Sequence, residues 1–329
     1  MKFGSVATSS ALGTVLAHSM ALPKGRLRKG VVLGQDDIAA LEAAGHSDVI
    51  VAQLEKDDVA ENAAADAVAD ALLEGSAGLR RSVAFTGRVN LIAETAGVAV
   101  LDVAALDAVN GVDPMITVAT VPAHHQLRAG DLVATIKIIA YAIPQTALDI
   151  AVEKARGAAR LAGPALASAT LIITEIPGGA GDKGRQAIED RLTALDVALT
   201  SVQMVPHTQD ALTAEIKAAD TPLVLILTGS ATSDINDVAP AALVQAGGQV
   251  ARFGMPVDPG NLLFLGTLGD QQVIGLPGCA RSPALNGADW VLSRVACGID
   301  VTSQDIAAMG VGGLLKEIPT RPQPRRARN

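Results

Sequence analysis

Beyond Ala165 the chain alternates short, wholly apolar runs with stretches whose apolar positions recur at helical spacing. That is the pattern of strands buried on both faces and joined by amphipathic helices. It predicts strands at Ala169 to Thr174, Leu199 to Val205, Leu223 to Leu227 and Gln249 to Phe253, with a further short one at Val273 to Leu276. Helices are expected at about Lys183 to Leu195, Thr208 to Ala219 and Asp237 to Ala246, with a closing helix over Ser282 to Ala296. Strands alternating with helices imply right-handed crossovers, so residues 164–315 are expected to form an α/β domain with a doubly wound, mostly parallel sheet.

Residues 1–163 read as a smaller, mixed α+β region. Gly34-Gln35-Asp36-Asp37 precedes Ile38, Leu41 and Ala44, a short capped helix ending at Gly45, and Val49 to Val51 follows as a strand. Asp57 to Leu73 has helical spacing in an alanine-rich stretch. Phe85 to Asn90 is a polar interruption, either a ligand-facing loop or a turn with a solvated Arg88, and helical alanine-rich sequence is expected after it. Met115 to Val121 and Leu132 to Ile143 are β-rich, joined by a hairpin or longer connection, and Pro144 to Leu161 reads as a helix with proline in its first turn. Residues 316–329 form a Pro- and Arg-rich tail.

Composition narrows the class. With 49% hydrophobic residues in 329 the chain can bury large cores, and with 2% aromatic residues those cores must be built from Ala, Val, Leu and Ile. A formal charge of −8 argues against a general nucleic-acid binder. Two cysteines, Cys279 and Cys297, are too few for a disulfide framework and suit a reducing cytoplasm. The mildly apolar segment Val6 to Leu22 is interrupted by Thr8, Ser9, Ser10, Thr14, His18 and Ser19, so it reads as folded chain, and no apolar stretch has the length of a membrane span. Adjacent His124 and His125 point to opposite faces of an extended chain and have no third ligand at a metal-binding spacing.

The chemistry gathers where the apolar run Leu223 to Leu227 breaks into small hydroxylated residues and then carboxylates. A strand, a polar loop and a helix start place hydroxyls, free N–H groups and a carboxylate together, which suits a phosphate and a divalent cation. Ser230, Thr232 and Ser233 can donate to phosphate oxygens, Gly229 allows close backbone approach, and Asp237, with Asp234 or Asn236 second, can hold Mg²⁺ or steer an oxyanion transfer. An aspartate before a helix also serves as an ordinary cap. Loops after neighbouring parallel strands converge, so residues 277–282 should meet residues 228–237. Pro177 to Arg185 is glycine-rich but lacks the Gly-Lys-Ser/Thr of a nucleotide-binding loop; Lys183 and Arg185 either face an anionic ligand or are solvated. Glu175 and His207 end strands on the same expected edge.

Thr228-Gly229-Ser230-Ala231-Thr232-Ser233-Asp234-Ile235-Asn236-Asp237-Val238-Ala239-Pro240 resembles, without gaps, the TGGTG-x4-D-V-x-P loop of the molybdopterin-binding proteins of molybdenum-cofactor synthesis, the MoeA/MogA-like family. Met255 to Asn261 looks like the family's KPG segment, and Ile274-Gly275-Leu276-Pro277-Gly278-Cys279-Ala280-Arg281-Ser282 like its LPGNP-x-S loop. The stretch from Lys29 to Val51 is similar, more loosely, to the entry segment of the molybdenum-inserting branch, and the stretch from Gly254 on to the tail resembles the molybdopterin-binding half of longer bacterial proteins that continue into a nucleotidyltransferase domain.

The resemblance implies a MogA-like C-terminal domain, a pterin phosphate beside Thr228, Gly229, Ser230, Thr232 and Ser233, an essential Asp237, and a pterin lying towards Pro277, Gly278, Cys279, Arg281 and Ser282. Molybdopterin and Mg²⁺ would be bound, with ATP or molybdate as co-substrate and a homo-oligomer as the assembly. Two activities stay open: adenylylation or molybdate insertion, with Asp237 and Asp234 catalytic, and a non-catalytic carrier docking on a nucleotidyltransferase or molybdoenzyme. A nucleotide- or sugar-phosphate-binding α/β enzyme outside this pathway is a third reading. Ser230 in place of a glycine, Asp258 in place of the lysine, and Cys279-Ala280 in place of Asn-Pro depart from the family pattern and favour binding over transfer.

Overall fold

A computed structural model describes residues 1–315; the Pro- and Arg-rich tail lies outside the described residues. The chain forms two compact units, the first made of Met1–Thr95, Ala99–Ala123 and Ala129–Leu161, the second of Ala96–Val98, His124–Arg128 and Ala162 onward.

The first unit is built mainly on two antiparallel sheets, of three and four strands. Asp48–Gln53 runs between Lys2–Ala7 and Val15–Leu16, and the helix Gln35–Ala43 closes a core of Ala11, Leu16, Leu33, Ile38, Leu41, Val49 and Val51. The second sheet orders Ile116–Thr120, Leu132–Ile138, Arg88–Ala93 and Leu79–Arg81, against which the helix Glu61–Leu72 lays Ala64, Ala65, Val68 and Leu72. Three expectations change here. The helix expected from Asp57 starts at Glu61, because Asp58–Ala60 is a strand paired with Ala142–Pro144. Strand Arg88–Ala93, with Val89, Leu91 and Ala93 buried in alternation, replaces helix after the polar loop, and the helix waits until Asp102 caps Val103–Asn110. The helix expected through Leu161 is Gln145–Ala155, since Gly157 turns left-handed at φ 63° and Ala159–Ala162 continues as strand.

The second unit is built on a six-stranded sheet. In chain order its elements are β1 (Ser168–Glu175), α1 (Arg185–Thr193), β2 (Ala198–Pro206), α2 (Gln209–Ala218), β3 (Leu223–Leu227), α3 (Val238–Gln245), β4 (Gln249–Phe253), β5 (Phe264–Leu268), β6 (Gln271–Leu276) and α4 (Gly287–Ala296). The sheet order is β2-β1-β3-β6-β5-β4. Strands β2, β1, β3 and β6 are parallel, while β5 is antiparallel to both of its neighbours, β6 and β4. The fold is therefore α/β with a doubly wound, mostly parallel sheet. Every residue of β3 is buried, as a wholly apolar run on a central strand requires. Ile172, Val224, Ile226 and Val273 meet Leu212, Ile216, Ala239, Ala242 and Leu243 in the core beneath α2 and α3.

Two readings are corrected in this unit. Phe264–Leu268 is a strand that sequence analysis left unassigned, and it forces β4 and β5 to run antiparallel at one edge. The closing helix begins at Gly287 rather than Ser282, where Asn286 and Asp289 form a reciprocal cap; residues 278–281 are a separate 3-10 turn.

From β1 the chain moves outward through α1 to β2, then α2 carries it back across to β3. The strand order thus reverses between β1 and β3, and at such a switch point the loops leaving the carboxyl ends open a crevice.

Candidate functional site

Three loops leave the carboxyl edge around the switch point: 176–184 after β1, 228–237 after β3 and 277–286 after β6. Register brings the latter two together, since Leu227 lies opposite Leu276 at the ends of β3 and β6. The β3 loop meets the end of β1 through Thr174, whose buried hydroxyl accepts the Gly229 N–H at 2.9 Å and lies 2.7 Å from His207 Nδ1. A Cβ at Gly229 would sit 2.7 Å from the Thr174 carbonyl oxygen, so only glycine lets the β3 loop come this close to β1.

Within the β3 loop, Thr228 Oγ1 donates to the Ser230 carbonyl at 2.6 Å and lies 3.4 Å from Thr232 Oγ1. Both threonines are buried, whereas Ser230 and Ser233 are not. The outward hydroxyls are therefore the two serines. Asp237 caps α3: one carboxylate oxygen accepts the Val238 N–H at 2.7 Å, the other the Ser233 N–H at 2.9 Å. Asp234 accepts the Asn236 N–H at 2.8 Å and the Asn236 side-chain amide at 2.9 Å, an Asx turn that leads into the cap. Among the described residues the backbone N–H groups of Ser230, Ala231 and Thr232 make no hydrogen bond within the protein. Amides without a partner in the protein, two exposed hydroxyls and a fixed carboxylate at a helix start have the chemistry that suits an oxyanion.

The β6 loop is held by two arginines. Arg281 gives one guanidinium nitrogen to the Gly181 and Lys183 carbonyls, at 3.2 and 2.5 Å, and another to the Thr228 carbonyl at 2.9 Å. It thereby ties all three loops together, and burial lowers its pKa. A Cβ at Gly184 would lie 2.7 Å from Arg281 Cα, and Gly184 has φ 102°, so glycine is required on both counts. Arg191 on α1 donates to Asp289 at 2.5 Å and to the carbonyls of Ala187, Ala280, Ser282 and Ala284. Sequence reasoning missed Arg191 and Thr174. Arg191 has no local signal because three of its four carbonyl acceptors lie about ninety residues away, and Thr174 reads as the last residue of an apolar run.

The remaining candidates fall as follows. Pro277 is buried and precedes the 3-10 turn, Gly278 and Cys279 are exposed in it, and Ser282 Oγ accepts the Ala284 N–H at 3.2 Å. Lys183 and Arg185 are exposed and, among the described residues, in no ion pair. Asp258 lies in a different environment: its N–H donates to the Gly313 carbonyl at 2.8 Å, and its own carbonyl accepts from Leu315 at 2.9 Å. No group of three or more His, Cys, Asp or Glu side chains among the described residues is placed to hold a metal ion. Asp237 keeps a second lone pair on each oxygen, which fits a cation whose remaining ligands are phosphate oxygens and water.

The fold is an α/β one whose three loops are tied together at the switch point of the sheet. A family model described as a domain of unknown function, DUF8806, matches residues 5–53. No curated protein matches the chain. Among solved structures the chain is similar to the molybdopterin biosynthesis MoeA protein from Pyrococcus horikosii, with a TM-score of 0.32 and 13% identity over 90% of this chain and 75% of that one. It is also similar to the molybdopterin biosynthesis enzyme MoaB from Thermus thermophilus, with a TM-score of 0.30 and 16% identity over 46% of this chain and all of that one. A molybdenum cofactor biosynthesis protein from Pyrococcus furiosus gives a TM-score of 0.23 and 14% identity, with 85% of this chain and 59% of that one covered. Among the described residues no helix is long and apolar enough to cross a membrane.

Proposed function

We infer that this protein binds molybdopterin through its terminal phosphate at the β3 loop and acts in molybdenum-cofactor synthesis, at adenylylation or molybdate insertion. The observation that carries the reading is the β3 loop itself: unbonded amides at Ser230, Ala231 and Thr232 beside an Asp237 carboxylate already fixed by two N–H donors. That arrangement occupies the stretch whose residue order resembles the family's phosphate loop. In this reading Ser230 and Ser233 donate to phosphate, Lys183 and Arg185 balance its charge, and the pterin extends over Gly278 and Cys279. Mg²⁺ would be held by Asp237 and would neutralise charge on the transferred group. Arg281 and Arg191 fix the loops, since Arg281 donates to main-chain carbonyls and Arg191 to carbonyls and Asp289.

The commitment of Arg281 to carbonyls, with Cys279-Ala280 beside it, favours a second reading: a carrier that holds molybdopterin for a separate nucleotidyltransferase or molybdoenzyme. Both are tested by titrating purified molybdopterin, with and without Mg-ATP and molybdate, into wild type and Asp237→Asn while product is followed. Product that is lost in Asp237→Asn supports transfer, binding without product supports the carrier, and absence of binding overturns both.

A further inference from the structure

The two free edges of the six-stranded sheet are built differently. The β4 edge has five residues, and its Arg252 is turned back onto the Gly254 carbonyl at 2.8 Å and Ser303 at 3.3 Å. The β2 edge, Ala198-Leu199-Thr200-Ser201-Val202-Gln203-Met204-Val205-Pro206, has nine residues and is the longest strand among the described residues. It has no charged side chain, none of its residues is buried, and among the described residues only β1 pairs with it. Edge strands are ordinarily short, charged or covered, because an open row of N–H and C=O groups templates another strand. Here a bulge near Thr200 interrupts the start of the strand, but Ser201 to Pro206 keeps an unbroken register with β1.

We propose that the β2 edge pairs antiparallel with the same edge of a second copy, about a two-fold axis at Gln203. A strand related to itself by such an axis sets residues equally spaced from the centre opposite one another. Gln203 then faces Gln203, whose amides donate and accept reciprocally, Val202 faces Met204, and Ser201 faces Val205. No charged side chain of the strand meets its own copy, although the chain carries a net −8 that opposes self-association through most of its surface. An acidic or basic peptide would find no counter-charge on this strand. The occupant that fits an uncharged, self-compatible edge is the chain itself.

The test uses the full chain. Light scattering after gel filtration at micromolar concentration should give twice the 33.4 kDa chain mass. Gln203→Lys, which places two ammonium groups opposite each other, should weaken the dimer at least tenfold without changing the circular dichroism spectrum. In a Cys279→Ser background, Gln203→Cys should form an intermolecular disulfide on mild oxidation, because paired Cα atoms stand about 4.5 to 5.5 Å apart. Gln186→Cys, exposed on α1, should not. A monomer at all concentrations, or a dimer indifferent to Gln203→Lys and not cross-linked at 203, overturns the proposal.

Discussion

Asp237 combines two duties that a single substitution can separate. Asn keeps one acceptor oxygen for the helix cap and removes the charge; Ala removes both acceptors, one taken by Val238 and one by Ser233. Asp237→Ala should therefore lower unfolding free energy by about 1 kcal/mol in urea titration, with Asp237→Asn falling well short of that. Arg191→Ala should cost more, about 3 to 5 kcal/mol, because it leaves the largely buried Asp289 without its ion pair and frees four carbonyls. Hydrogen exchange should rise over residues 280–286, and retained protection there would contradict the anchoring role. The difference in legibility between these two residues is physical. A capping carboxylate lies next to the helix it serves, so Asp237 shows in sequence. An arginine that binds distant main-chain carbonyls leaves no pattern, and Arg281, which reads as a ligand group, turns inward for the same reason.

At the level of elements, periodicity located β1, β3, β6 and the helices between the strands because each is wholly apolar or faces a core on one side, and it located the edge strands β2 and β4 as well. It failed for β5, whose Phe264-Leu265-Gly266-Thr267-Leu268 is short and contains glycine, a residue usually read as a break. The reason for glycine here is close packing between strands. A Cβ at Gly266 would lie 2.3 Å from the Gln249 carbonyl oxygen, and one at Gly275 only 1.9 Å from the Phe264 ring. Gly275→Ala should cost at least the ~1 to 3 kcal/mol typical of overpacking, and Phe264→Leu in the same chain should recover part of that loss in a double-mutant cycle. Simple additivity of the two would show that the ring does not rest on Gly275. In the first unit alanine-rich composition pointed to helix after Asn90, where Leu91 and Ala93 are buried in the alternation of one strand and Gly97–Leu101 forms another.

Across the whole molecule, burial pushes the Cys297 thiol from an ordinary value of 9.0 up to about 11. The folded state prefers the protonated thiol, so its contribution is complete below pH 9 and is lost as pH climbs to about 11. Urea midpoints should fall across that interval by the equivalent of at most about 3 kcal/mol, and Cys297→Ala should remove this part of the slope. With so few aromatic residues, the protein's optical properties also become simple. Its one tryptophan, Trp290, is half-buried on α4, directly after the Asp289 that Arg191 binds while holding the Ser282 and Ala284 carbonyls. A single emitter thus stands one peptide bond from the clamp on the candidate ligand loop. Selective excitation at the red edge of its absorption, where tyrosine is silent, makes the indole a built-in reporter of events in that loop, with no dye attached.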